Sequence, residues 1–422
     1  MEATLRRGPI AGAAWDRAYE VKAVTLMALG FGIVGLDRFM INPLFPVMQK
    51  DLGLSYQDLG LISAIMALTW GLSALFTGQL SDRIGRKKVI VPAVLIFSIL
   101  VGITGLGTGI GSLILIRGLM GVPEGAYVPA SIVVTIESSK PSRIGLNIGI
   151  QQMAHPLIGL GLGPILAVAL LKVLPNWHWV FGAAALPGLV LALIMMLVLR
   201  EHGPSLTAKG NERSILDTWK ELLGYRNLIC AALGMICYLS CGITLSAFMP
   251  NYLTDHLGLP LGQMGSVLAG VGVGSCIGMV GLPAISDRLG RKPVMISALI
   301  IEVFVLLWLL TLGAEPGKLF WALFVAAFMT SGVIAINVGP LTSSSVPPGI
   351  ATAATGVVVG LGEIFGGALS PALAGGIAQR FGIETIPVFA LVAIVTGLVI
   401  LAFGVREPAV AQPAPVTPYH ER

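Results

Sequence analysis

One basic turn occurs twice in this chain. The first copy reads Gly78-Gln79-Leu80-Ser81-Asp82-Arg83-Ile84-Gly85-Arg86-Lys87-Lys88, the second Gly281-Leu282-Pro283-Ala284-Ile285-Ser286-Asp287-Arg288-Leu289-Gly290-Arg291-Lys292. Asp82 and Asp287 stand 205 residues apart, about half of the 422. Each copy ends one long apolar segment and begins another. Such a repeat constrains the fold more than any local propensity does, because the second half must build what the first half builds. Glycine at positions 85 and 290 lets a very short connection reverse direction.

The segments on either side read as membrane spans. The chain is 55% hydrophobic and only 11% charged, against roughly 25% charged in soluble domains. Water could not be its solvent over most of its area; lipid can. A helical span needs about 20 apolar residues. That rule predicts twelve: 22–47, 58–80, 88–109, 112–136, 143–171, 178–200, 226–250, 261–284, 293–312, 317–339, 350–378 and 383–404. The polar segment 201–225 splits them six and six. The expected fold is an all-α membrane protein of twelve transmembrane helices in two pseudo-symmetric six-helix halves, 1–200 and 226–406, joined by a cytoplasmic linker. A Pro- and Ala-rich tail, 407–422, is read as disordered. The first apolar run is too long for a cleaved signal and carries charges, so it is expected to be retained.

Charge fixes the orientation. With both termini inside, inner segments hold 20 of the 26 Lys and Arg residues and outer segments four. This bias predicts cytoplasmic termini. The net charge of +5 is spread over short turns; no basic stripe with interleaved aromatics points to nucleic acid. Cys230, Cys237, Cys241 and Cys276 lie in apolar runs without metal-ligand or redox spacing. No metal or organic cofactor is expected. No phosphate-binding Gly-Lys loop, HExxH or nucleophile constellation suggests an enzyme. Glycines at 159, 161 and 163 with Pro164, and at 360, 362, 366 and 367, read as tight helix contacts.

Charges inside spans are costly, at least about 2.5–3.5 kcal/mol each on insertion scales, and so are functional candidates. Asp37 and Arg38 on span one and Glu124 on span four fall near the bilayer midplane. Arg38, Asn42 and Phe45 share one helical face at i, i+4, i+7, offering a cation, an amide and an aromatic surface. That stripe suits a carboxylate on a small organic body. Burial penalises the charged form of a carboxyl, which makes Asp37 and Glu124 the proton-site candidates. The alternative is a static ion network of Asp37, Glu124, Arg38 and Arg117 that orients helices. Gln151 and His155 share a face of span five and are further substrate candidates; His155 also fits a hydrogen-bonded helix contact. Asn337 on span ten is a weaker substrate candidate. Glu363, among glycines on span eleven, reads as a second-half proton or substrate group, or as a partner of the loop motif. Glu302 on span nine fits a helix contact.

The repeated motif with six-plus-six spans and a central loop resembles the major facilitator superfamily over nearly the whole chain. The resemblance implies that Gly78, Asp82, Arg83, Gly85 and Arg86, with Asp287, Arg288 and Arg291, form a conformational latch between the halves. It also implies a monomer. Leu36-Asp37-Arg38 with Asn42, then Gln49-Lys50-Asp51-Leu52-Gly53-Leu54-Ser55, is similar to the anion:cation symporter family, as is Arg117-x-x-x-Gly121-x-x-Glu124-Gly125. That similarity implies substrate carboxylate at Arg38 and proton coupling at Asp37 and Glu124. The leading expectation is a proton-coupled symporter of a small organic anion, such as a carboxylate or sugar acid, in a bacterial inner membrane. Gly159-x-x-x-Gly163-Pro164 resembles part of a drug-exporter signature, and the acidic-Arg pair resembles lysolipid-transporting spinster-type members. These imply the rival, a proton-driven antiporter of drugs or lysolipids. A membrane sensor would need a signalling domain larger than the 201–225 segment.

Overall fold

The structure, a computed structural model, describes residues 15–200, 221–222, 224–347 and 350–406. The side chains of residues 75, 76, 78–80, 82, 83, 351 and 352 also lie outside the description. So do the tail 407–422 and nearly all of the linker.

Twelve long helices run through the described residues. They are α1 (Arg17–Leu52), α2 (Tyr56–Ile84), α3 (Arg86–Thr104), α4 (Ile110–Ser138), α5 (Pro141–Val173) and α6 (Trp177–Val198) in the first half. The second half holds α7 (Arg226–His256), α8 (Leu261–Leu289), α9 (Arg291–Leu309), α10 (Pro316–Ser344), α11 (Ala353–Phe381) and α12 (Ile383–Gly404). All but α2 combine the length and hydropathy of a membrane span. The 29 residues of α2 reach about 43 Å at 1.5 Å per residue, also enough to cross. Large apolar side chains such as Leu197, Phe304 and Phe403 stand exposed on the perimeter, where lipid rather than water must meet them. The chain is a multi-pass membrane protein.

Local chemistry sets the ends. Asp16 caps α1 by accepting from the Ala18 and Tyr19 N–H groups at 3.0 and 3.2 Å. Ser55 and Asp58 form a reciprocal capping box on α2, satisfying two otherwise orphaned donors. Gly85 and Gly290 turn at φ 101° and 90°, a region that side chains with a Cβ avoid. The expected reversal therefore occurs at both motif copies.

The halves repeat in their packing. In each, the motif lysine holds the end of the last helix: Lys87 Nζ donates to the Leu199 carbonyl at 2.7 Å, and Lys292 Nζ to those of Ala402 and Val405 at 2.9 and 2.7 Å. The motif arginine reaches the helix before the next turn. Arg86 pairs with Glu137 at 2.9 Å. Arg291 donates to the Pro340 carbonyl and, at 3.2 Å, to Ser344 Oγ. Asp287 and Arg288 are exposed. The latch positions Gly78, Asp82 and Arg83 have side chains outside the description.

Two faces can be distinguished: a terminal face, where α1 begins and α12 ends, and a distal face opposite. Among the described residues, every side-chain hydrogen bond between the halves involves Arg38 or a residue distal to it. Asn42 Nδ2 donates to the Ser246 carbonyl at 3.0 Å. Asn251 Nδ2 donates to Gln49 Oε1 at 2.9 Å, and Tyr56 hydroxyl to Asp255 Oδ2 at 2.9 Å. The Tyr56 N–H donates to Gln379 Oε1 at 3.1 Å. The α5 and α8 backbones also touch: a Cβ at Gly272 would lie 2.0 Å from the Gly161 nitrogen. Only a residue without a side chain fits there. The distal side is sealed.

Candidate functional site

Helix α1 is interrupted at Met40, between segments ending at Phe39 and starting at Ile41. Pro43 and Pro46 follow within its second segment. Neither can donate to a carbonyl one turn back. Arg117, from α4, compensates part of the disturbance by donating to the Asp37 carbonyl at 3.0 Å and the Arg38 carbonyl at 3.4 Å. Arg117 is thus a clamp on the α1 backbone, 1% exposed.

Asp37 and Glu124 are 1% and 0% exposed, and neither carboxyl has a hydrogen-bond partner for either oxygen. Asp37 feels the charges of Glu124 and Arg117, and Glu124 those of Arg38 and Arg117. Arg38 turns away toward the second half, where its Nη2 lies 3.1 Å from Glu363 Oε2. Its guanidinium also sits 5.4 Å from the Trp70 ring centroid and 5.8 Å from that of Phe39. Glu363 belongs to a π-helical stretch, Gly362–Leu369, whose wider turn is typical of functional positions. Three buried carboxyl groups and two guanidiniums therefore share one region at mid-depth, and one pair spans the two halves.

Beside this cluster lies a cavity of about 200 Å³ between the halves. Phe31, Phe39, Gln152 and His155 form its first-half wall; Leu239, Ile243, Ser246, Ser275 and Thr330 are among those facing them. His155 stacks on Phe31 at 4.7 Å and meets Phe39 edge-on at 5.5 Å. A small pocket containing Arg38 and Asn42 shares Phe39 and Ile243 with this cavity.

The other substrate candidates stand elsewhere. Phe45 is fully buried in apolar packing and lines none of these cavities, because the break in α1 ends the straight i, i+7 face assumed from the sequence. Gln151 is held by Thr135 and Ser131 on α4, at 2.6 and 2.8 Å; its neighbour Gln152 faces the cavity instead. Asn337 donates to the Ala231 carbonyl at 2.9 Å, tying α10 to α7. Sequence reasoning missed Phe31, Phe39 and Trp70. Phe39 adjoins Arg38 and was findable; nothing in the sequence singles out Trp70, 32 residues from its cation.

Similarity to known proteins agrees with this arrangement. The family profile described as Major Facilitator Superfamily matches residues 27–364 and 244–420. The chain is 24% identical over 399 residues to the sialic acid transporter NanX of Escherichia coli, covering 92% of this chain and 94% of that protein. It is 28% identical over 323 residues to the 3-(3-hydroxy-phenyl)propionate transporter of the same organism, covering 75% and 76%. Its fold is similar to that of a bacterial homologue of the human lysosomal transporter Spinster, in an inward-facing and unoccupied conformation. The TM-score is 0.76 at 17% identity, covering 92% of this chain and 96% of that one. Two six-helix halves around a central cavity define a membrane carrier. The chain belongs to the Major Facilitator Superfamily, whose members are transporters rather than enzymes.

Proposed function

We propose that this protein is a proton-coupled symporter of a small organic anion, with Arg38 as the carboxylate site. The observation that carries the reading is the mid-depth charge count. Among the described residues, the cations that Asp37, Glu124 and Glu363 face are Arg38 and Arg117. Arginine keeps its charge in proteins, so the cluster reaches neutrality only with a bound proton. An anionic substrate displacing Glu363 from Arg38 adds a fourth carboxylate and calls for another proton. Anion and proton then favour entry together, each shifting the conformational balance by its differential affinity. The named organic-acid relatives support the anion. The basic loops support cytoplasmic termini in a bacterial inner membrane, the distal seal then being extracellular. A single chain containing both halves fits a monomer. The apolar cavity wall favours a second reading, proton-driven export of an amphiphile or lysolipid.

Reconstitution with a trapped pH dye tests the choice. Adding an organic acid should carry protons inward, and Arg38→Ala should reduce that flux at least about 30-fold, the low end of losing one partner of a buried charge pair. Full anion transport by Arg38→Ala sinks the assignment. Proton exit from acid-loaded vesicles on adding an amphiphile favours the second reading.

A further inference from the structure

We infer that the transported anion is a monocarboxylate with a flat, apolar, single-ring body rather than a polyhydroxylated sugar acid. This rests on the organic-anion reading above and adds the class of substrate. The inference comes from what the cavity wall can and cannot hydrogen-bond.

The ring surface is already assembled. Phe31 and the His155 imidazole lie 4.7 Å apart at 29°, and Phe39 closes the corner at 74°. Across from them the wall is aliphatic, with Leu239, Ile243 and Met249 on α7 and Ile334 on α10. A planar guest can join such a stack by offset or edge-to-face contact.

The polar side of the wall is sparse and partly spent. Ser246 donates its hydroxyl to the Gly242 carbonyl at 2.7 Å, and Thr330 donates its own to Glu302, behind the wall. Both can still accept but no longer donate. Gln152 and His155 remain on the first-half wall, with Ser275 and Ser331 opposite. A hexuronate would bring several hydroxyls, each a donor and an acceptor, and a ring oxygen besides its carboxylate; only these four side chains can both donate and accept, and Ser246 and Thr330 offer acceptance alone. Each polar group buried without a partner opposes binding. One or two ring hydroxyls, by contrast, can be met by Gln152 or Ser275.

Size and charge agree. An apolar cavity of about 150 Å³ holds benzene, so about 200 Å³ suits one ring with a short acidic arm. The only guanidinium adjoining the cavity, among the described residues, is Arg38, reached past Phe39, whose ring it overlies. One cation asks for one carboxylate, with the ring on the His155 side of Phe39.

The test uses the full chain in proteoliposomes with a trapped pH dye. The probes are benzoate, 3-phenylpropionate, glucuronate, acetate and a cationic amphiphile. The aromatic acids should drive proton entry at concentrations about 100-fold below glucuronate, since an apolar pocket rejects a hydroxyl it leaves unmatched by roughly that factor. His155→Ala should erode the preference for benzoate over acetate, and His155→Phe, which keeps a ring, should retain it. Glucuronate transported as well as or better than benzoate overturns the substrate class while leaving the anion reading intact. Proton movement with the amphiphile and with no acid overturns both. Unchanged benzoate preference in a folded His155→Ala protein removes the stacking argument.

Discussion

The two halves share a plan but divide the work. The first gathers Asp37, Arg38, Arg117 and Glu124 around a broken helix. The second contributes Glu363 to that cluster and, among the described residues, otherwise holds one deeply buried acid, Glu302, bonded by Thr330 and by Cys241 Sγ at 3.5 Å. Among the described residues no guanidinium or ammonium faces Glu302. Their close packing differs as well. In the first half Gly121 and Gly125 of α4 lie against the Met66 and Trp70 carbonyls of α2. In the second, Gly270, Gly274 and Gly278 of α8 lie against the Phe320, Phe324 and Phe328 carbonyls of α10. Most of the small residues lie on the other member of the corresponding pair, Gly332 of α10 against the Gly278 carbonyl being the exception. Duplication preserves which helices touch, because that is set by the fold; it does not preserve which helix yields room or carries charge.

The sharpest way to break this division is to compare buried acids. Asp37→Asn or Glu124→Gln should each reduce proton-driven accumulation at least about tenfold, a coupling loss of about 1.4 kcal/mol, while exchange of substrate across the membrane persists. Glu302→Gln, a volume-conserving change, should leave accumulation within about twofold. Equal losses in all three variants would show that the second half carries proton coupling too.

A smaller effect should separate two glycines at different depths. Gly272→Ala drives a methyl group into the α5 backbone at Gly161, whereas a Cβ at Gly149, also on α5, meets nothing within 4 Å. Overpacking costs about 1–3 kcal/mol, so Gly272→Ala should lower the melting temperature and expose distal-side reporter cysteines to labelling. Gly149→Ala should do neither. Equal behaviour would mean that the halves do not depend on that contact.

The smallest effect belongs to the start of α1. The Tyr19 N–H, and then the Arg200 guanidinium, hold the Asp16 carboxyl below its ordinary value of 3.8. A group depressed in this way stabilises the fold above its unfolded pKa, and the contribution fades as pH falls through the folded value. Asp16→Asn should therefore melt slightly below the parent at pH 7, and the gap should narrow as pH falls below 3.8. A gap that does not narrow at all as pH falls below 3.8 would rule out the charge as its source.

Much of this architecture was legible in advance. The hydropathy of twelve segments and the repeated Asp-Arg-x-Gly-Arg-Lys turn determined spans and halves, since lipid leaves few alternatives to a helix. Asp37, Arg38 and Glu124 were visible because a charge in an apolar run has no inconspicuous explanation. Their partners were not. Arg38 and Glu363 are 325 residues apart, and only the crossing of α1 with α11 brings them together. The Phe45 reading failed to anticipate the interruption at Met40. Gln151 and His155 illustrate a related limit: an i, i+4 pair still differs by about 40° around a helix, enough for one to face α4 and the other Phe31.

The lysine of each motif has a consequence for how the molecule comes into being. Lys87 is translated early and waits 112 residues for its acceptor at Leu199; Lys292 waits 110 and 113 residues for Ala402 and Val405. Each is a buckle that fastens only when the sixth helix of its own half arrives. Neither fastening uses a residue of the intervening 201–225 segment. The nascent chain can thus complete one bundle before the other has left the ribosome, and the second half is, in the order of synthesis, a newcomer.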